Sequence, residues 1–155
     1  MLITVLSVII GVIVGYNYYI DQVKIKGGIF SNEIEILQED LTQLQIRYSS
    51  NVNIYQENEM TKEEFLIVAD KHFEDLQEIL ERYDGLQPPE PFKPSVELFK
   101  LSAEYQLERD REIALWIETG DEAHNIRADE LHQESFSYEL AALADFKSVQ
   151  LGSNP

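Results

Sequence analysis

Cysteine is absent from the 155-residue chain, which removes disulfide staples and thiolate chemistry together and leaves the redox compartment unread. Positive charge is scarce: Lys and Arg number 12 against 29 Asp and Glu. Without residues 1 to 26, which hold only Asp21, Lys24 and Lys26 as charged groups, the remainder carries 28 acids against 10 bases. Such a polyanion repels nucleic acid and anionic headgroups, and favours basic partners or cations. Nucleic-acid binding is therefore excluded as an expectation. Also missing are a phosphate-binding glycine loop, a dinucleotide turn, a nucleophile elbow and a zinc-protease helix, and with them a motif-based case for an enzyme or a cofactor. Proline and glycine are few and grouped, so long intervals run without a helix breaker.

One apolar stretch is present. Leu2 to Ile20 contains no charged side chain, and nineteen helical residues at about 1.5 Å each reach roughly 28 Å, close to a bilayer's hydrocarbon core. A cleavable export signal would begin with basic residues and end in small ones, whereas this chain begins Met-Leu-Ile-Thr and leaves the stretch through Tyr16, Tyr18 and Tyr19. Aromatic residues of this kind suit the lipid-water boundary. The reading is a retained single-pass span with the bilayer as its first partner. Lys24 and Lys26 follow it, and the positive-inside tendency then leaves the acidic domain in the cytoplasm. Ser7, Gly11 and Gly15 recur every four residues on one face, where small side chains admit a second helix or a second copy of the chain.

The remaining glycines and prolines mark the rest of the domain. Gly27 and Gly28 are expected to separate the span from the helices beyond it, Gly85 and Gly120 to end helices, and Pro88, Pro89, Pro91 and Pro94 to fill a joint over 86–94. Helices are expected over about 33–57, 62–84, 95–119 and 122–147. Ile34, Leu37, Leu41, Leu44, Tyr48 and Tyr55 repeat at three- and four-residue steps with only Asn51 breaking the seam, and Phe65, Ala69, His72, Leu76, Ile79 and Tyr83 follow the same rule. Leu66, Phe73 and Leu80 widen the second stripe beyond a two-stranded seam. Thr61 with Glu64, and Thr119 with Glu122, have capping-box spacing. The fold class that results is all-α: an N-terminal transmembrane helix over residues 1–26, then an antiparallel four-helix bundle of two helical hairpins over 27–150, and a disordered tail at 151–155.

The C-terminal hairpin interrupts its apolar stripe with polar groups. Val96, Phe99 and Ala103 give way to Gln106 and Asp110 before Ile113 and Ile117 resume. Folding back near Gly120 brings Asp110 level with Asp129 and Glu130, and Gln106 level with Gln133 and Glu134. One reading is a carboxylate site for a divalent cation built from Asp110, Asp129, Glu130, Glu134 and His132; the other is a solvated flank where Arg109, Arg111 and Arg127 pair with those acids, and common exposed ion pairs favour it. A di-iron carboxylate bundle is excluded by spacing: Asp121-x-x-His124 and Asp129-x-x-His132 share one helix, and their histidines lie about 12 Å apart along it. His72, in an apolar seam near the level of Tyr48, reads as a hydrogen-bonded core histidine. Trp116 reads as packing near the turn.

The segment "FKPSVELFKLSAEYQLERDREIALWIETGDEAHNIRADELHQESFSYELAAL", Phe92 to Leu143, resembles the C-terminal helical pair of uncharacterised archaeal proteins that join one hydrophobic span to a helical domain. That resemblance implies the same architecture and assigns no site. Four-helix input domains of chemoreceptors, which also follow a first span, offer a looser analogy. The functional expectation is a membrane-anchored helical module that binds another protein, one with a basic surface or a membrane complex it helps assemble. The alternative is a tethered ligand or cation sensor, or a metal-dependent enzyme.

Overall fold

A computed structural model of the chain describes the backbone of residues 2–152 and the side chains of residues 28–152. Among the described residues run four long helices and one short 3-10 turn: α1 (Leu2–Gln56), α2 (Lys62–Gly85), α3 (Lys93–Thr119) and α4 (Glu122–Gly152), with the turn at Glu90–Phe92. Each helix runs against the next, in the up-down-up-down order that short connections impose. The architecture is the expected all-α helical bundle.

Local chemistry explains each boundary. α1 ends at Gln56, and the chain turns away at Asn58, whose φ of 60° is the left-handed value that asparagine tolerates. The Asn58 N–H donates to the Tyr55 carbonyl at 3.0 Å and the Glu59 N–H to that of Ile54 at 3.0 Å, so two orphan carbonyls are satisfied as in a Schellman motif. Thr61 then caps α2 with the expected box: the Glu64 N–H donates to the Thr61 hydroxyl, and the Thr61 N–H to the Glu64 carboxylate at 2.9 Å. The Thr61 N–H first, and the Thr61 hydroxyl donating to the same carboxylate at 2.8 Å second, hold the Glu64 carboxyl below its ordinary pKa. Pro94 lies in the first turn of α3, where a missing N–H costs nothing. Gly120, at φ 75°, ends α3 with its N–H on the Trp116 carbonyl at 2.7 Å.

Three expectations need correction. The second capping box does not form: Thr119 is the last residue of α3, and its hydroxyl donates back to the Leu115 carbonyl. Asp121 caps α4 instead, accepting from the Ala123 N–H at 2.9 Å, because Gly120 has already turned the chain one residue further. Nor do Gly27 and Gly28 break the chain. α1 is one helix through both, since glycine only weakens a helix interior by about 1 kcal/mol and long flanks outweigh that. α4 likewise continues to Gly152, so Leu151 and Gly152, expected in a disordered tail, are helical; residues 153–155 lie outside the described residues.

α1 spans 55 residues, roughly 80 Å at about 1.5 Å per residue, and it packs against the other helices from Phe30 onward. No helix among the described residues is long and apolar enough to cross a membrane. The expected span, with Ser7, Gly11, Gly15, Tyr16, Tyr18, Tyr19, Lys24 and Lys26, falls outside the residues whose side chains are described.

The two expected stripes form the core. Ile34, Leu37, Leu41, Leu44 and Tyr48 of α1 face Phe65, Ala69, Leu76, Ile79 and Tyr83 of α2, all buried; Tyr55 is half-buried against Phe65. The core divides in two. A larger cluster around Phe30, Leu41, Leu76, Phe99 and Phe146 lies at the end with the proline joint, and a smaller one around Tyr48, Phe65, Ala114 and Ile117 at the other. α3 and α4 share the most extensive interface, because Ser102, Ala103, Ser135 and Ala142 are small enough to let their backbones approach. At the closest point the Ser102 hydroxyl donates to the Ser135 carbonyl and the Ser135 hydroxyl to that of Ser102, each at 3.0 Å.

Candidate functional site

Between the two apolar clusters lies a polar layer to which α1, α2 and α3 each contribute. Asp110 of α3 has no exposed surface, yet four donors converge on its carboxylate. Oδ1 accepts from Nε and Nη2 of Arg109 at 2.8 and 2.5 Å. Oδ2 accepts from Nε2 of Gln45 at 2.9 Å and lies 2.7 Å from Nε2 of His72. A carboxylate can only accept, so Nε2 of His72 carries the proton in this bond. Arg109 also donates from Nη2 to the Gln45 amide oxygen. The Asp110 carbonyl accepts the Tyr48 hydroxyl at 2.7 Å, and the Tyr48 ring stacks on His72 with centroids 4.3 Å apart. Burial first, and the Asp110 charge second, push the Tyr48 phenol well above its ordinary pKa, which keeps it a donor.

This arrangement fixes register. Sliding α3 by one turn, about 5.4 Å, would carry Asp110 beyond reach of His72 and Gln45 and leave each buried group unpaired. Both carboxylate oxygens are already shared by two donors, so neither is free to take a cation or a substrate proton.

The candidate cation set is not assembled. Asp110 is buried, whereas Asp129, Glu130 and His132 are exposed and Glu134 is half-buried. Glu130 pairs with Arg127 at 2.9 Å and Glu134 approaches the same guanidinium at 4.0 Å. Among the described residues no three potential ligands gather closely enough to hold a metal ion. The solvated-flank reading is right for Arg127 and wrong for Asp110, whose pairing with Arg109 takes place inside the bundle. Arg111 lies over the Phe73 ring at 5.9 Å. The core-histidine reading describes His72 correctly. His124 meets Glu112 at 2.6 Å, and Trp116 donates its indole N–H to Glu122 at 3.1 Å. Gln45 was missed, because it stands beside Leu44 rather than in the apolar seam. The signal for the layer was the pair of polar residues, His72 and Asp110, at seam positions of two different helices.

Arg109 links this layer to an open cleft between α1 and α4. One part has a volume of about 540 Å³ and is bordered by Leu41, Gln45, Ile46, Arg109, His132 and Phe136. A second part, about 280 Å³, continues past Arg109 toward Val52, Ile113 and Asn125. Every α1 side chain along both parts is uncharged. Nη1 of Arg109 contacts Nδ1 of His132 at 3.4 Å, the only link from the network to α4 that the described hydrogen bonds provide.

The outward face of α4 is equally distinctive. Its exposed positions from 136 to 151 include Phe136, Leu140, Ala141, Leu143, Ala144 and Lys147 and not one carboxylate, while Glu139 and Asp145 turn partly inward. Phe136, Leu140 and Leu143 are 54%, 51% and 48% exposed, and their spacing of four and three places them on one stripe. No family model, no curated protein and no solved structure matches this chain.

Proposed function

We propose that this chain is a membrane-tethered interaction module, in which Leu2–Ile20 anchors a helical bundle and the outward face of α4 binds a partner protein. The partner presents an apolar helical seam with basic flanks. The observation that carries this reading is the acid-free stripe of Phe136, Leu140 and Leu143 on a chain of net charge −17. Solvent-facing helix positions are normally polar, and a contiguous apolar stripe rimmed by charge marks an interaction surface. Its rim is acidic, with Asp129, Glu130 and Glu139 on α4 itself, so a basic border on the partner complements it and rejects acidic competitors.

The anchor supports the same reading. α1 is continuous from Leu2 to Gln56, so a span in the bilayer would stand the bundle upright and hold the α4 stripe along the membrane normal, away from lipid. Lys24 and Lys26 favour a cytoplasmic bundle, and Ser7, Gly11 and Gly15 would allow a membrane helix of the partner complex, or a second copy, to pack alongside.

The test is site-specific photocrosslinking of the full chain in its native membrane, with the photoreactive residue at position 140. A discrete adduct with a polypeptide bearing a basic amphipathic helix is expected, lost in Phe136→Glu while the helical circular dichroism is retained. An adduct pattern indifferent to that substitution, or adducts with lipid alone, would overturn the proposal.

A further inference from the structure

We infer that the cleft between α1 and α4 is a binding site for a small organic monocarboxylate with an apolar tail, its carboxylate held by Arg109 and its tail lying against Leu41, Ile46 and Phe136. This site borders the outward stripe of α4, sharing Phe136 with it, but its anion contact at Arg109 does not depend on the protein partner.

Arg109 lines both parts of the cleft, beside His132, and its donors are unequally used. Nε and Nη2 are spent on Asp110 and Gln45. Nη1 has only the 3.4 Å contact to His132, at the long limit for such a bond and easily replaced by a charged acceptor. The Asp110 and Gln45 bonds hold the guanidinium in one orientation, so a ligand does not have to order it. With its side chain 15% exposed, Arg109 acts from a largely dry position, where a charge-assisted bond is stronger than on the open surface.

The walls suit the rest of such a ligand. Thr42, Ser49 and Asn53 of α1 offer uncharged polar groups without competing carboxylates, and Leu41, Ile46 and Phe136 make an apolar stretch on one side of Arg109. A cleft lined mostly by polar residues, with one short apolar stretch beside a fixed guanidinium, matches a small amphiphilic acid, and 540 Å³ falls within the usual size range of small-molecule sites. The chain's overall negative field opposes anions, but it is screened over about 8 Å at physiological ionic strength, whereas the guanidinium is in direct contact. One charged nitrogen is available rather than a fork, which suits a monoanion. Glu139 and Asp129, at the α4 wall of the two parts, disfavour a second negative group.

The probe is hexanoate, titrated against the full chain in detergent and followed by the carbonyl resonance of the ¹³C-carboxyl-labelled acid, beside hexanamide, acetate and inorganic phosphate. Saturable binding of hexanoate is expected, at least about tenfold tighter than any of the three controls. Two variants keep the result interpretable. Arg109→Gln removes the anion contact but also disturbs Asp110; Ser49→Glu changes only an exposed wall residue and puts a carboxylate in the cleft beside the site. Both are expected to weaken hexanoate by tenfold or more, with Ser49→Glu leaving helicity and melting unchanged. Equal binding of hexanoate and hexanamide, indifference to Ser49→Glu, or no saturation up to about 10 mM would each overturn the inference.

Discussion

Replacing Asp110 by alanine removes the acceptor on which three helices converge. Arg109, His72 and Gln45 then lose their bonds together. Deleting one partner of a buried ion pair costs roughly 3–5 kcal/mol, because the remaining charge stays desolvated. Two structural details locate the value within that range. The Arg109 side chain is 15% exposed and borders the cleft, so it can turn toward solvent and recover part of its hydration. The His72 side chain is only 5% exposed and stacked under Tyr48, so its N–H has nowhere to go. The expected loss is therefore about 3 kcal/mol, a large share of the roughly 5–15 kcal/mol that holds a domain folded. Urea unfolding of the full chain in detergent, followed by circular dichroism, should show a lowered midpoint, and the melting temperature should fall by about 10 °C. The informative control is the triple change His72→Leu, Asp110→Leu, Arg109→Met. Replacing the three ionisable members together by apolar groups leaves only the half-buried Gln45 without its partners, and should restore most of the stability. If Asp110→Ala costs under about 0.5 kcal/mol, an amount ordinary for a surface change, then Asp110 is not a buried hub.

Gly28 lies inside α1, and a Cβ there would meet nothing within 4 Å, so Gly28→Ala should raise stability by about 0.5–1 kcal/mol in thermal melts. Gly120 also has free space, but its φ of 75° penalises any side chain, and Gly120→Ala should cost about 1–2 kcal/mol by the same measurement. Ser102→Ala and Ser135→Ala should each cost about 1 kcal/mol in urea titrations, as one hydroxyl bond to the facing carbonyl is lost, while Ser102→Leu should be far worse because it wedges α3 from α4. The alkaline limit of stability is set by Tyr48 and Tyr83, whose phenols are pushed up chiefly by burial. Their folded-state pKa values exceed the unfolded value near 10, so their contribution is complete below about pH 10 and is lost as pH rises above it. Urea midpoints should be flat below that point and decline beyond it, with tyrosinate absorbance showing that these two residues ionise only as the chain unfolds.

The helices, their order and their inward stripes were legible in the sequence because they rest on short-range physics. A period of three and four residues places Ile34, Leu37, Leu41, Leu44 and Tyr48 on one face whatever packs against it. Thr61 and Glu64 cap a helix through bonds three residues apart, and Gly120 stops one through its own φ. Even at this range predictions failed: Gly27 and Gly28 did not interrupt α1, and a start displaced by two residues moved the cap of α4 from Thr119 to Asp121. What only the tertiary structure decided was which polar groups meet. Asp110 could be seen interrupting a stripe, but its partners lie 38 and 65 residues away on α2 and α1. That meeting depends on the axial offset created by the proline joint and on the rotation of α1, neither of which leaves a local mark in the sequence. The same offsets drew Asp110 inward, left Asp129, Glu130 and His132 outside, opened the cleft above Arg109 and turned Phe136, Leu140 and Leu143 to solvent, because helix packing is set by the fit of whole surfaces and not by the spacing of any one segment.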